Sequence, residues 1–160
     1  MIQRDPSSQA PQDDRKGKFL IKGFNRKNIM TPILIEELIV VTIGGGIGAV
    51  SRFLLSYWIQ GQLEKSSFPW GILTVNILGC FLMGVLFGLF LDRLAVSPLI
   101  RSGLMIGVLG GFTTFSSFSM DMITLLQSGI YSAAFAYLFA TMFGCLLATA
   151  LGLMLVRVIV

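Results

Sequence analysis

The chain contains no histidine and little charge: Asp and Glu number eight and Lys and Arg twelve among 160 residues. The missing histidine removes imidazole acid–base catalysis, Ser-His-Asp triads and histidine metal sites together. Cysteine is scarce too. Cys80 and Cys145 each stand alone in an apolar segment without C-x-x-C spacing, so they read as small packing residues and carry no message about redox compartment. Acids are missing where a proton-coupled transporter needs them. Glu36, Glu37 and Asp121 lie toward the edges of the apolar runs, whereas coupling uses an ionisable group inside a span. No embedded acid pair, no histidine and no external domain together argue against an enzyme.

What is present is apolar length. Hydrophobic residues make up 54% of the chain, and the mean hydropathy is +0.82, the composition of an integral membrane protein. A helix needs about 20 predominantly apolar residues to cross the hydrocarbon core. Four stretches qualify, at 38–59, 70–91, 99–126 and 130–156. The predicted fold class is therefore all-α integral membrane, with four transmembrane helices and the third broken mid-membrane. Residues 1–32 form a polar then basic tail, expected to be disordered, and 33–160 form the transmembrane domain. Within the tail, 16–29 interleaves Lys and Arg with Phe19, Leu20, Ile21 and Phe24, which suits either an anionic lipid surface or plain solvation. The tail does not read as a cleavable signal peptide, because the following apolar run is too long.

The predicted break lies in Gly110-Gly111-Phe112-Thr113-Thr114-Phe115-Ser116-Ser117-Phe118-Ser119. Adjacent glycines disfavour helix by about 1 kcal/mol each, and lipid-facing helix has no use for a run of hydroxyls. Irregular backbone survives in a bilayer only where protein buries it or where it lines a wet cavity. The stretch is thus either an ion or substrate site or a glycine kink whose hydroxyls bond back to their own helix. If the first half-helix ends near Gly110, its last carbonyls are left free for a cation. Thr113 or Thr114 would then cap the second half. Phe115 and Phe118, three apart, share a face.

Other spans add polar groups and one false lead. Gly44-x-Gly46-x-x-Ala49, after an apolar run and with Glu64 about 20 residues on, fits a dinucleotide fingerprint. A membrane-length run continues straight through these glycines, so nucleotide binding is not expected and close helix packing is. Gly84-x-x-x-Gly88 and Gly103-x-x-x-Gly107-x-x-x-Gly111 read the same way. Arg52 either snorkels to an interface or sits in an aqueous vestibule that attracts anions. Asn76 either bridges helices or donates to an anion. Tyr137 and Thr141 lie four apart in the last span and offer hydroxyls. With Thr74 and the 113–119 hydroxyls, these groups are neutral and nearly all can donate. Phenylalanine ring edges are electropositive as well. A donor-lined path without carboxylates suits a small anion moving passively and held weakly.

Gly45-Gly46-x-Gly48-Ala49-x-x-Arg52-Phe53, Pro69-Trp70-Gly71 with Asn76-x-x-Gly79, and the Gly110–Ser119 stretch together resemble the Fluc/CrcB fluoride-channel family over about residues 38–157. The resemblance implies a passive fluoride exporter that relieves cytoplasmic fluoride toxicity. It implies an antiparallel dimer with two pores and a sodium ion at the dimer centre. Phe115 and Phe118 would then line the fluoride path, with Ser116 and Ser117 beside them. Asn76 would donate to fluoride, Tyr137 and Thr141 would line a polar track, and Arg52 would lie at the vestibule. The carbonyls of Gly110 and Thr113, from both subunits, would hold the sodium. One departure stands out: the family usually has Thr after Pro-x-Gly, where this chain has Ile72, and Thr74 lies on another helical face.

Charge adds a topology expectation. Both termini and the second connection share one side, which carries ten Lys and Arg, against Lys65 opposite. That bias predicts cytoplasmic termini in a prokaryotic inner membrane. An opposed homodimer needs insertion both ways. The chain is therefore expected either to pair with an oppositely oriented paralogue or to carry a tail that is a weak topology signal. Competing readings are a small multidrug-type proton antiporter and a non-transporting assembly subunit. A nucleic-acid partner is not expected.

Overall fold

A computed structural model describes residues 32–63, 66–92 and 96–159. The chain divides into units Met1–Ile35 and Glu36–Val160; every contact and site described below lies in the second. The basic tail, Glu64, Lys65 and Arg93 lie outside the described residues. Helix α1 spans Pro32–Gln62 and α2 spans Trp70–Asp92. The third span opens with α3, an α-helical turn Pro98–Arg101 that continues as π-helix over Ser102–Leu109 and as α-helix over Gly110–Phe112. After the break come α4, Phe115–Gln127, and α5, Tyr131–Ile159. Four of these stretches, counting the broken pair as one, are long and apolar enough to cross a membrane. The protein is a multi-pass membrane protein.

Local chemistry sets the ends. Pro98 begins α3 at the position where its missing N–H costs nothing, and the Ser97 hydroxyl accepts from the Ile100 N–H at 3.4 Å. Gly129, at φ 74°, turns the chain between α4 and α5. There the Gly129 N–H reaches Leu126 O at 3.1 Å and the Ile130 N–H reaches Leu125 O at 3.0 Å. That positive φ is the conformation a side chain resists. Between α1 and α2, the Gln60 amide holds the connection. Its Nε2 donates to the Ser66 and Phe68 carbonyls, each at 3.3 Å, and its Oε1 accepts from the Gly71 N–H at 3.3 Å.

Small residues set the packing. A Cβ on Gly44 would lie 2.7 Å from the Gly103 carbonyl oxygen, and one on Gly111 would lie 2.5 Å from that of Gly45. On the α2–α5 seam, a Cβ on Gly84 would strike the Thr149 carbonyl, and one on Gly152 that of Phe81. Backbones therefore meet directly, as expected where lipid removes the hydrophobic drive for helix association and close packing supplies it. The Gly44–Ala49 stretch is continuous helix pressed on α3, not a phosphate-binding turn. Large apolar residues such as Ile43, Phe53, Phe139 and Leu147 face outward, more than half exposed, as lipid-facing residues do. The buried cluster comprises Leu73, Phe118, Leu125, Ala134 and Tyr137. Ile72 packs against it while Thr74 is exposed.

The break falls later than the glycines suggest. Gly110 and Gly111 remain helical, and the extended residues are Thr113 (φ −79°, ψ 152°) and Thr114 (φ −152°, ψ 124°). Gly111 is used for contact with Gly45 instead. The eight-residue π-helical segment before it follows from no residue pattern in the sequence, although such segments recur at functional positions.

Candidate functional site

Opening a helix inside the membrane orphans backbone groups, and each must find a partner. Here the partner is Asn76 of α2. The Thr114 N–H donates to Asn76 Oδ1 at 2.8 Å, and Asn76 Nδ2 donates back to the Thr114 carbonyl at 3.0 Å. Both residues are buried. The amide thereby matches the donor and acceptor of one extended residue, as a neighbouring strand would. One N–H of Nδ2 remains beyond this pair.

The rest of the break is satisfied locally. Thr114 caps α4 by accepting from the Ser117 N–H at 3.2 Å, and its hydroxyl also pairs with Ser116 Oγ at 3.0 Å and Ser117 Oγ at 3.3 Å. Thr113 donates both its N–H and its hydroxyl to Leu109 O, each at 3.0 Å. Ser119 returns its hydroxyl to Phe115 O at 2.9 Å. These bonds are what a kink reading expects of hydroxyls. They leave the Gly110 carbonyl without the Thr114 N–H that an unbroken helix would send it, because that N–H is turned to Asn76.

Beside this pair lies a groove of about 300 Å³, lined by Asn76, Cys80, Thr113, Thr114, Phe115, Phe118, Thr141, Met142 and Cys145. Five of the site residues expected from sequence therefore meet in one place: Asn76, Thr113, Phe115, Phe118 and Thr141. None of the nine is charged. The Thr141 hydroxyl is buried and has no hydrogen-bond partner among the described residues. An unpaired buried hydroxyl is costly.

Aromatic rings lead away from the groove. Phe115, 77% exposed, stands 5.3 Å from Phe118, which is 5.1 Å from Tyr137. Tyr137 meets Phe68 edge-on at 5.6 Å, and Phe68 stands 4.6 Å from Trp70. Five rings thus run in contact from α4 to the start of α2. Tyr137 is fully buried behind Phe118, off the groove lining, and its hydroxyl donates to Asp121 Oδ2 at 3.1 Å. Asp121 lines a second cleft of about 380 Å³ with Phe53, Ser56, Gln60, Gly71 and Ile72. The remaining sequence-predicted residues sit apart from both linings. Ser116 and Gly110 are exposed and Ser117 half-buried. Arg52 is half-buried on α1, on the row of fourth residues between Gly48, against α3, and Ser56, against Gly71.

Sequence reasoning missed two residues. Gln60 gives a weak signal, an amide near a span end. Asp121 was read as an interfacial acid, and its tie to Tyr137 joins α4 to α5, which spacing within one helix does not reveal.

Comparison with known proteins shows the family. The profile of the family described as CrcB-like protein, Camphor Resistance (CrcB), matches residues 39–153. A protein of Magnetococcus marinus named fluoride-specific ion channel FluC is 45% identical over 119 residues, covering 74% of this chain and 96% of that one. Proteins of the same name from Pseudomonas fluorescens and Hahella chejuensis are 44% and 40% identical, each over 78% of this chain and 99% and 98% of theirs. The matched span contains the break, its Asn76 partner and the groove, and on that extent of likeness the chain belongs to the CrcB-like family.

Proposed function

We propose that this chain is a subunit of a fluoride-selective channel that lets fluoride leave the cytoplasm passively and so limits its toxicity. The observation that carries the reading is the buried, unpartnered Thr141 hydroxyl in a groove of neutral donors without a carboxylate. Fluoride is small and strongly hydrated, so a path must replace its water with donors and then release it. Thr141 offers one donor and the uncommitted N–H of Asn76 another. The ring edges of Phe115 and Phe118 supply positive potential without a fixed charge. Tyr137 holds Phe118 from behind, and Ser116 and Ser117 lie at the start of α4 beside the path. Arg52 is assigned to the vestibule, where it would concentrate anions. A proton antiporter would need a carboxylate in the groove, and the lining holds none among the described residues.

The proposed assembly is a dimer of oppositely oriented subunits, either two copies or this chain with a paralogue. Support comes from the exposed residues on either side of the break, Ile106 and Gly110 before it and Phe115, Ser116 and Met120 after it; a Gly110 carbonyl without its helical donor calls for cover in lipid. A structural sodium belongs to the same proposal. Hard monovalent cations take oxygen ligands, and the Gly110 carbonyl has lost its helical donor, so it and the Thr113 carbonyl fit that chemistry. Two carbonyls are too few alone, which is why the partner must supply the same pair. The ion would neutralise the two breaks where they meet. The proposed location is the plasma (inner) membrane of a prokaryote with cytoplasmic termini. A C-terminal reporter scored on both faces tests orientation, and an equal split would remove the need for a paralogue.

The deciding experiment is efflux from liposomes containing the purified protein. Fluoride should leave rapidly and chloride should not. A folded protein that passes neither ion, alone or with an opposed paralogue, would overturn the reading.

A further inference from the structure

The groove lining contains two thiols that the proposed anion path does not use. Cys80 comes from α2 and Cys145 from α5, and both line the groove beside Asn76 and Thr141. Both are free and half-buried. A single hydroxyl ties their backbones together: Thr149 Oγ1 lies 3.2 Å from the Cys80 carbonyl and 3.0 Å from the Cys145 carbonyl, within donating reach of both. Two backbones that share one hydroxyl are held at close range, and both side chains line the same groove. Rigidity is built in, since the Gly84 and Gly152 contacts lock α2 against α5 around these residues.

We infer that Cys80 and Cys145 form a two-thiol site for soft, linearly coordinated metal cations, and that its occupation closes the groove. Soft cations prefer thiolate ligands, and those that accept two collinear ligands need no more than this pair. The described residues contain no cluster of three or more His, Cys, Asp or Glu, so metals that need three or four such side chains find no matching set among them. Mercuric chloride is a suitable probe, because it is neutral and enters apolar surroundings. The reaction balances as two thiols plus HgCl₂ giving one S–Hg–S bridge, two protons and two chloride ions, with no change of oxidation state. The bridge would stand beside Asn76 and Thr141, in the space an anion must cross.

The site is tested by intact mass and the closure by flux, and only the closure rests on the fluoride-channel reading. Purified full-length protein is treated with HgCl₂ and weighed. A mass gain of one mercury without chloride per chain is expected. Cys80→Ser and Cys145→Ser should each gain mercury that retains chloride, and the double variant should gain none. Two chloride-bearing mercury adducts on the unaltered chain would overturn the site. In liposomes, HgCl₂ should abolish fluoride efflux, and dithiothreitol should restore it. Each single variant, compared with its own untreated rate, should lose less. Bridged protein that still conducts would overturn the closure, and bridged protein that conducts neither before nor after treatment would overturn the channel reading while leaving the metal site standing.

Discussion

The α2–α5 seam and the α3–α4 junction are both made from small residues in apolar surroundings, yet only the junction opens. Along the seam, Gly84, Gly88 and Gly152 stay helical while their backbones approach the opposite helix. At the junction Gly110 and Gly111 stay helical too, and the chain leaves helix only at Thr113 and Thr114. Small residues therefore permit contact, and they do not by themselves break a helix in lipid. What the junction has and the seam lacks is Asn76, whose amide takes both the N–H and the carbonyl that an open Thr114 sets free.

The largest expected effect comes from removing that amide. Asn76→Leu strands one buried donor and one buried acceptor, at about 1–3 kcal/mol each. Thermal unfolding in detergent should fall accordingly and fluoride flux should be lost. Unchanged stability would mean that the break holds itself open. Next is the seam. Gly152→Leu forces a side chain against the Phe81 carbonyl and should cost about 1–3 kcal/mol by overpacking, read as a lower unfolding temperature. If it were tolerated, the two regions would not differ in the way described.

The two phenylalanines sharpen the contrast within the junction. Phe118 is buried against Tyr137 and Phe115 is mostly exposed. Phe118→Ile should cost about 1 kcal/mol of stability through the lost ring contact, whereas Phe115→Ile should cost the isolated subunit little. Both should depress fluoride flux while leaving the proposed dimer intact. Normal conduction by both would remove the aromatic path. The smallest effect on stability is at Thr141. Thr141→Val removes a buried hydroxyl without a partner and should be neutral or stabilising by about 1 kcal/mol, while flux falls. Stability and flux falling together would mean that the hydroxyl serves packing.

Much of this was legible beforehand, for reasons tied to particular residues. Apolar length alone marks four spans, because a bilayer demands it. Gly103, Gly107 and Gly111 share a face because the helical period puts them there, and the partner they announce is α1. The hydroxyl run after Gly111 marks the break region, since lipid gives those groups no other use. The position of the break was not legible. Glycine propensity points to Gly110, but propensity is worth about 1 kcal/mol and the Gly111–Gly45 contact and the Asn76 pairing outweigh it. The Tyr137–Asp121 and Gln60 bonds escaped for the same reason: each joins residues on different elements.

The sequence by itself therefore determined the membrane class, the number of spans, the small-residue faces and the segment that carries the break. These follow from composition and from period, which are properties of one chain segment in one solvent. Only the tertiary structure decided that Asn76 closes on Thr114, that the buried Thr141 hydroxyl has no partner among the described residues, and that Cys80 and Cys145 line one groove. Those outcomes depend on which helix lies beside which, and hydrogen bonds in lipid go to whatever group that arrangement brings within about 3 Å.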